Sequence, residues 1–272
     1  MRVYGHRGAR GLFPENTLEG IEAVVATGID GIEIDVVVSG DKQLIVSHNP
    51  YAHYHICLDS SGNQLEKGED NVKHRFYKMN YSQILSYDVG VKTHPEFLEQ
   101  KKLKARIPLL VDVFDSINAK VNTQFSLFLE VKFDQEMEGV LFPDLEDYAL
   151  ILKEFLDENE FNAQLVIKSF NINFMNTFYR LTGDRYKLGI LVENNISVKD
   201  NLSQLDFVPL YYNPECKFVN IELINELHQR KIKLVTWTVN DPIEYQTLLD
   251  LDVDGVISDY PTTLINHNLC SE

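Results

Sequence analysis

Residues 28–38 read Gly28-Ile29-Asp30-Gly31-Ile32-Glu33-Ile34-Asp35-Val36-Val37-Val38, an apolar run interrupted by acids. Strand side chains alternate with period 2, so Ile32, Ile34 and Val36 fall on one face and Glu33 and Asp35 on the other. The apolar neighbours of these acids mark a strand buried in a parallel sheet, where an unpaired carboxylate is costly. Two carboxylates at i and i+2 repel each other when empty and are close enough to share a cation. This stretch therefore predicts a parallel sheet with a polar centre built into it.

The rest of the chain extends that sheet. Eight strand candidates alternate with longer helical patterns: Arg2–His6, Gly31–Val37, Phe125–Val131, Gln164–Ser169, Lys187–Leu191, Asp206–Leu210, Lys233–Thr238 and Asp254–Ser258. Apolar stripes of helical period run through Thr17–Thr27 (with Asn16 as the expected cap), Asp144–Glu158, Ile221–Lys231 and Pro242–Leu251. This alternation is the pattern of a parallel sheet wrapped by helices. A chain of 272 residues suits one (β/α)8 barrel of about 250 residues with an insertion. The alternation breaks between Asn49 and Arg106, a polar, aromatic, glycine-broken stretch too long for a plain loop in a compact domain.

The first fifty residues also carry Gly5-His6-Arg7-Gly8, Pro14-Glu15-Asn16-Thr17 and Ser47-His48. Imidazoles exchange protons near neutral pH, carboxylates hold hard cations, and arginine matches a pair of phosphate oxygens. That set is what acid–base cleavage of a phosphodiester assisted by a metal requires. His6, Glu33, Asp35, Glu130, Lys132, Ser169, Trp237 and Asp259 all fall at or just beyond the C-terminal ends of the predicted strands, the face where barrel enzymes build their sites.

These motifs, followed by Leu129-Glu130-Val131-Lys132, Thr236-Trp237-Thr238-Val239-Asn240 and Ile257-Ser258-Asp259-Tyr260-Pro261, resemble the glycerophosphodiester phosphodiesterase family in order and over nearly the whole chain. The resemblance implies a single TIM-barrel domain over residues 1–272, with an insertion of about 51–106 after the second strand capping the C-terminal face. It implies hydrolysis of glycerophosphodiesters to sn-glycerol 3-phosphate and an alcohol. His6 and His48 would be the acid–base pair, and Glu33, Asp35 and Glu130 would hold one divalent cation. Arg7 and Lys132 would contact the phosphate, and Trp237 would pack on the glycerol carbons. An all-oxygen ligand set suits Mg²⁺ or Ca²⁺ better than Zn²⁺. The sequence departs from the family's pattern at Asn49, where an aspartate usually follows the second histidine. Alternatives are a lipid-directed member of the superfamily, of lysophospholipase D or phospholipase C type, and a binding protein that has lost the chemistry.

Composition narrows the partners. A net charge of −16 argues against nucleic acid and requires local cations to outweigh the global field at an anion site. Cys57, Cys216 and Cys270 show neither a disulfide framework nor zinc spacing. With no signal-peptide pattern and no long apolar run, a cytoplasmic protein without membrane insertion is expected, acting on a small molecule. His53, His55 and Cys57 alternate as a metal strand would, but nothing downstream completes a tetrahedral set.

Overall fold

In the computed structural model, which describes residues 1–68 and 70–269, β1 (Arg2–His6) and α1 (Leu18–Val25) lead into β2 (Gly31–Val38), buried along its whole length. The chain then makes a short β3 (Leu44–Val46), the helices α2 (Asp70–Lys73), α3 (Tyr81–Ile84) and α4 (Leu110–Asn118), and β4 (Ser126–Val131). Strict alternation follows: α5 (Leu145–Glu158), β5 (Gln164–Ser169), α6 (Ile172–Thr182), β6 (Lys187–Val192), α7 (Val198–Leu202), β7 (Tyr211–Pro214), α8 (Ile221–Gln229), β8 (Lys233–Thr236), α9 (Pro242–Asp250), β9 (Gly255–Ser258) and α10 (Pro261–Leu269).

Every strand except β3 runs parallel to its neighbours, in the order β1-β9-β8-β7-β6-β5-β4-β2, and β1 pairs with β2 to close the ring. This is the (β/α)8 TIM barrel that the sequence predicts. Tyr4, Phe128, Val166, Tyr211, Val235 and Ile257 plug its interior, with Phe128 meeting Tyr4 and Tyr211 edge-on at 4.8 and 5.0 Å. Two residues further along the same strands, the period-2 rule puts His6, Glu130, Lys168, Trp237 and Asp259 on the same inward side. The aromatic plug is thus the floor of a polar layer.

Two expectations about elements need correction. The seventh strand is Tyr211–Pro214, not Asp206–Leu210. Pro209 cannot donate to a ladder, and Val208 is 81% exposed. Pairing begins only where the Leu210 amide donates to the Leu188 carbonyl. Asn16 does not cap α1; Thr17 does, its Oγ1 accepting from the Gly20 amide. Asn16 instead sits at φ 54, with its side chain committed elsewhere. β3 is an addition to the eight barrel strands: it turns back antiparallel on the end of β2, the second barrel strand, and the long insertion follows this hairpin. Phe76, Ile84 and Cys57 of that insertion are buried in the main core.

Candidate active site

Residues 5–8 make a turn that only particular residues tolerate. A Cβ at Gly5 would stand 1.8 Å from the Gly8 carbonyl oxygen, and Gly8 has φ +87. Between them Arg7 is held in the left-handed region at φ 50, a conformation a non-glycine residue keeps only when its surroundings fix it. The Arg7 amide donates to Glu33 Oε2 at 3.2 Å, and its carbonyl accepts from Asn16. Its guanidinium pairs with Glu15 at 2.9 Å and lies 3.5 Å from Asp35.

His6 ends β1 and is oriented from behind. Its Nδ1 lies 2.6 Å from Asp259 Oδ1, which also accepts from Arg10 Nε at 2.7 Å, while Asp259 Oδ2 accepts from Asn240 at 2.8 Å. Burial alone would raise the Asp259 pKa, but the bond to His6 and the Arg10 charge outweigh it and hold the group well below the usual carboxylate range. An ionised carboxylate only accepts, so Nδ1 carries the proton and Nε2 is the nitrogen presented to the cavity. Nε2 stands 4.0 Å from Glu33 Oε2.

Glu33, Asp35 and Glu130 are brought together by register: Asp35 is directly opposite Glu130 across β2 and β4, and Glu33 lies two residues before Asp35. One oxygen from each falls within 4.8 Å of the others, and all three residues are buried. Lys132 bonds Glu130 and lies 2.9 Å from Asp35 Oδ1. Burial would raise the Asp35 pKa, yet Lys132, His48 and Arg7 hold it well below the ordinary value. Glu33 is pushed up by burial and by the neighbouring Asp35 and Glu130 carboxylates, against the opposing Lys168 charge.

His48 follows β3, on a loop tied to β2 by the Ser47 amide bonding the Asp35 carbonyl at 3.0 Å. Asn49 Oδ1 lies 3.4 Å from its Nδ1, and among the described residues no carboxylate hydrogen-bonds it from behind as Asp259 does His6. Burial, aided by Arg7 and Lys132 against Asp35 and Glu15, lowers its pKa to about 4. At neutral pH its ring is uncharged.

One cavity of about 260 Å³ collects these groups: His6, Arg7, Glu33, His48, Glu130, Lys132 and Trp237 all line it. Asp35 lies against Lys132 beside them. Trp237, just past β8, is fixed by its indole Nε1 donating to the Asn213 carbonyl at 2.9 Å. Sequence reasoning missed Lys168, Arg10 and Asn240. Lys168 is 1% exposed and reaches within 3.3 Å of Glu33 Oε1. Its signal was available, since a lysine inside Leu165-Val166-Ile167-Lys168 is rarely buried without a partner.

The residues present fit a hard divalent cation. Three buried carboxylates converge, and Glu33 Oε1, although near Lys168, accepts no hydrogen bond. An all-oxygen donor set with a free lone pair is what Mg²⁺ or Ca²⁺ requires. Among the described residues no other group of three or more His, Cys, Asp or Glu side chains converges in this way.

Residues 6–263 match the glycerophosphoryl diester phosphodiesterase family. The chain belongs to that family. It is a phosphoric diester hydrolase of the glycerophosphodiester phosphodiesterase class. The glycerophosphodiester phosphodiesterase of Caldanaerobacter subterraneus subsp. tengcongensis is 28% identical, across 97% of this chain and 96% of its own. Human lysophospholipase D is 22% identical, across 95% of this chain and 83% of its own. A solved Silicibacter pomeroyi protein, assigned as a glycerophosphoryl diester phosphodiesterase, superposes with a TM-score of 0.88 at 25% identity, across all of this chain and 94% of its own. An Oleispira antarctica phosphodiesterase, solved with the product sn-glycerol-3-phosphate, shares the fold with a TM-score of 0.78 at 22% identity, across 98% of this chain and 96% of its own. Among the described residues of this family member, no helix is long and apolar enough to cross a membrane.

Proposed function

We propose that this phosphodiesterase hydrolyses glycerophosphodiesters to sn-glycerol 3-phosphate and an alcohol, with His6 and His48 exchanging the protons. The observation that carries this reading is the backed histidine: Asp259 receives Nδ1 of His6 and leaves Nε2 facing the cavity that His48 also lines. A carboxylate in that position fixes the ring's orientation and stabilises the imidazolium that forms when Nε2 takes a proton.

His6 removes the proton of a glycerol hydroxyl neighbouring the phosphate ester. The hydroxyl oxygen bonds to phosphorus, the phosphorus bond to the alcohol breaks, and His48 protonates the departing oxygen. Water then opens the cyclic phosphate with the proton transfers reversed. Burial, with Arg7 and Lys132, keeps a proton off the His48 ring, and the phosphate anion beside it favours the protonated form this step requires. Arg7 and Lys132 hold phosphate oxygens, and Trp237 packs on the glycerol carbons. Glu33, Asp35 and Glu130 would hold one divalent cation, Mg²⁺ or Ca²⁺, which when bound neutralises phosphate charge and lowers the pKa of an attacking hydroxyl. The insertion of about 51–106 covers the mouth; Gln100 already donates to the Arg10 carbonyl at 2.6 Å and Phe97 lies under the Arg10 guanidinium.

The test is release of sn-glycerol 3-phosphate from glycerophosphocholine and glycerophosphoglycerol, before and after exhaustive chelation. Turnover that disappears with EDTA and returns with Mg²⁺ or Ca²⁺ is expected. Full activity in chelated protein overturns the metal assignment, and no release from either diester overturns the reading.

A further inference from the structure

The walls of the cavity are unlike one another. On the side built by β1, β2 and β4 they carry His6, Arg7, Glu33, Glu130 and Lys132. On the side built by the ends of β5, β6 and β8 they carry Phe170, Leu191, Glu193 and Trp237. Because β6 lies across the ring from β1, and β8 across from β4, the Leu191, Glu193 and Trp237 part of the second set faces the first. The first set suits a phosphate. The second, apart from Thr238 and the buried Lys168 that is paired with Glu33, is an aromatic and aliphatic wall with a single carboxylate.

Phe170 and Trp237 meet at 5.6 Å with their planes at 88°, forming a corner. Phe170 is 38% exposed despite its place at a barrel mouth, so one ring is left partly uncovered. Glu193 stands just past β6, two residues beyond the lining residue Leu191 and therefore on the same inward side. It is exposed and has no hydrogen-bond or ion-pair partner among the described residues. An anion left unpaired in the pocket of an enzyme for anionic substrates works against binding unless the substrate brings a cation to it.

Resting on the function proposed above, we infer that Glu193 and the uncovered Phe170 ring, held edge-on by Trp237, form a subsite for a cationic alcohol, a quaternary or primary ammonium joined to the phosphate by a short carbon chain. An aromatic face and a carboxylate are complementary to such a group, and cation–π attraction does not require a hydrogen-bond donor. The inference also resolves the charge problem posed by the whole chain. A zwitterionic diester carries no net charge, so a protein of net charge −16 does not repel it, whereas it does repel a diester with a neutral or anionic alcohol.

The experiment compares glycerophosphocholine with its neutral carbon isostere, the 3,3-dimethylbutyl diester, which has the same shape without the charge. The wild-type enzyme is expected to favour the choline diester about tenfold in kcat/KM, with the preference shrinking at high salt because Glu193 is exposed. Glu193→Gln should bring the ratio close to one, and Glu193→Lys should reverse it. Phe170→Leu, which keeps the wall apolar but removes the ring, should lower the ratio severalfold. Equal wild-type rates on the two isosteres overturn the subsite while leaving the hydrolase reading intact. Absence of turnover on both, and on glycerophosphoglycerol, strikes the hydrolase reading itself. An unchanged ratio in both Glu193 variants overturns the assignment of Glu193.

Discussion

Asn16 grips Asp35 at two points: its Nδ2 donates to Asp35 Oδ2 at 2.9 Å, and its Oδ1 accepts from the Asp35 backbone amide at 3.3 Å. One carboxamide therefore fixes both the side chain and the main chain of a proposed metal ligand. The residue reaches that position only because its backbone is left-handed, a region that asparagine tolerates better than most residues.

Replacing Asn16 tests this clamp. Asn16→Asp places a second carboxylate against Asp35 and removes the donor. It should cost at least about 10-fold in kcat/KM, in line with losses on altering groups that orient metal ligands. Thermal unfolding should show a stability loss of about 1–3 kcal/mol. Wild-type kinetics with a lowered melting temperature would confine Asn16 to the fold.

The His6–Asp259 pair makes a second prediction. His6→Ala and His48→Ala should each lower kcat by about 10²-fold or more. Asp259→Asn should also lower kcat strongly, because an amide presents the wrong partner to Nδ1, while KM changes little. Steady-state kinetics on folded variants, checked by circular dichroism, decide the matter.

Lys168 is the nearest cation to Glu33 Oε1. Lys168→Met should destabilise the chelated protein by about 3 kcal/mol, since removing one partner leaves a buried charge uncompensated. Added Mg²⁺ or Ca²⁺ should then raise the melting temperature of the variant more than that of the wild type. Equal shifts in both proteins would separate Lys168 from the carboxylate cluster.

The half-buried, desolvated His48 sets a pH dependence of stability. Its folded value of about 4 lies below the unfolded value of 6.5, so the unfolded chain takes up the proton first as pH falls. The stability of the neutral ring is fully present above about pH 6.5 and is lost progressively toward pH 4. In EDTA, denaturant unfolding at about pH 4.5 should therefore show the wild type losing about 2 kcal/mol more, relative to pH 7, than His48→Gln. Parallel losses in the two proteins would contradict the burial argument.

Much of this architecture is written in local patterns. Strands such as Arg2–His6 and Gln164–Ser169 have the bounds their alternation predicts, because both ends are marked by changes of polarity. The seventh strand is displaced because Tyr211 and Tyr212 sit where sequence alone shows no apolar alternation, and Pro209 makes the preceding run look like a strand core while forbidding it. Of the site, the residues of the motifs were legible. The burial of Lys168 was signalled by its apolar neighbours but its partner was not, since Glu33 stands on β2, beyond β4; the role of Asn16 was hidden because a left-handed backbone carries its side chain to Asp35. Arg10 was hidden for a similar reason: its partner Asp259 lies at the opposite end of the chain.

The excursion after β3 begins and ends at one place. The Val46 amide donates to the Pro108 carbonyl at 2.9 Å, and Ile45 is bridged to Leu109, so the chain leaves the barrel and rejoins it across a single ladder step. Such a junction behaves as a cassette boundary. A segment of another length can take its place without shifting the register of any barrel strand, at a closure cost that grows only slowly with length, provided that it refills the core positions of Cys57, Phe76 and Ile84. His48 lies just inside the boundary. Any graft that replaces the whole cassette must therefore carry its own histidine, and one joined after Asn49 inherits the one already in place.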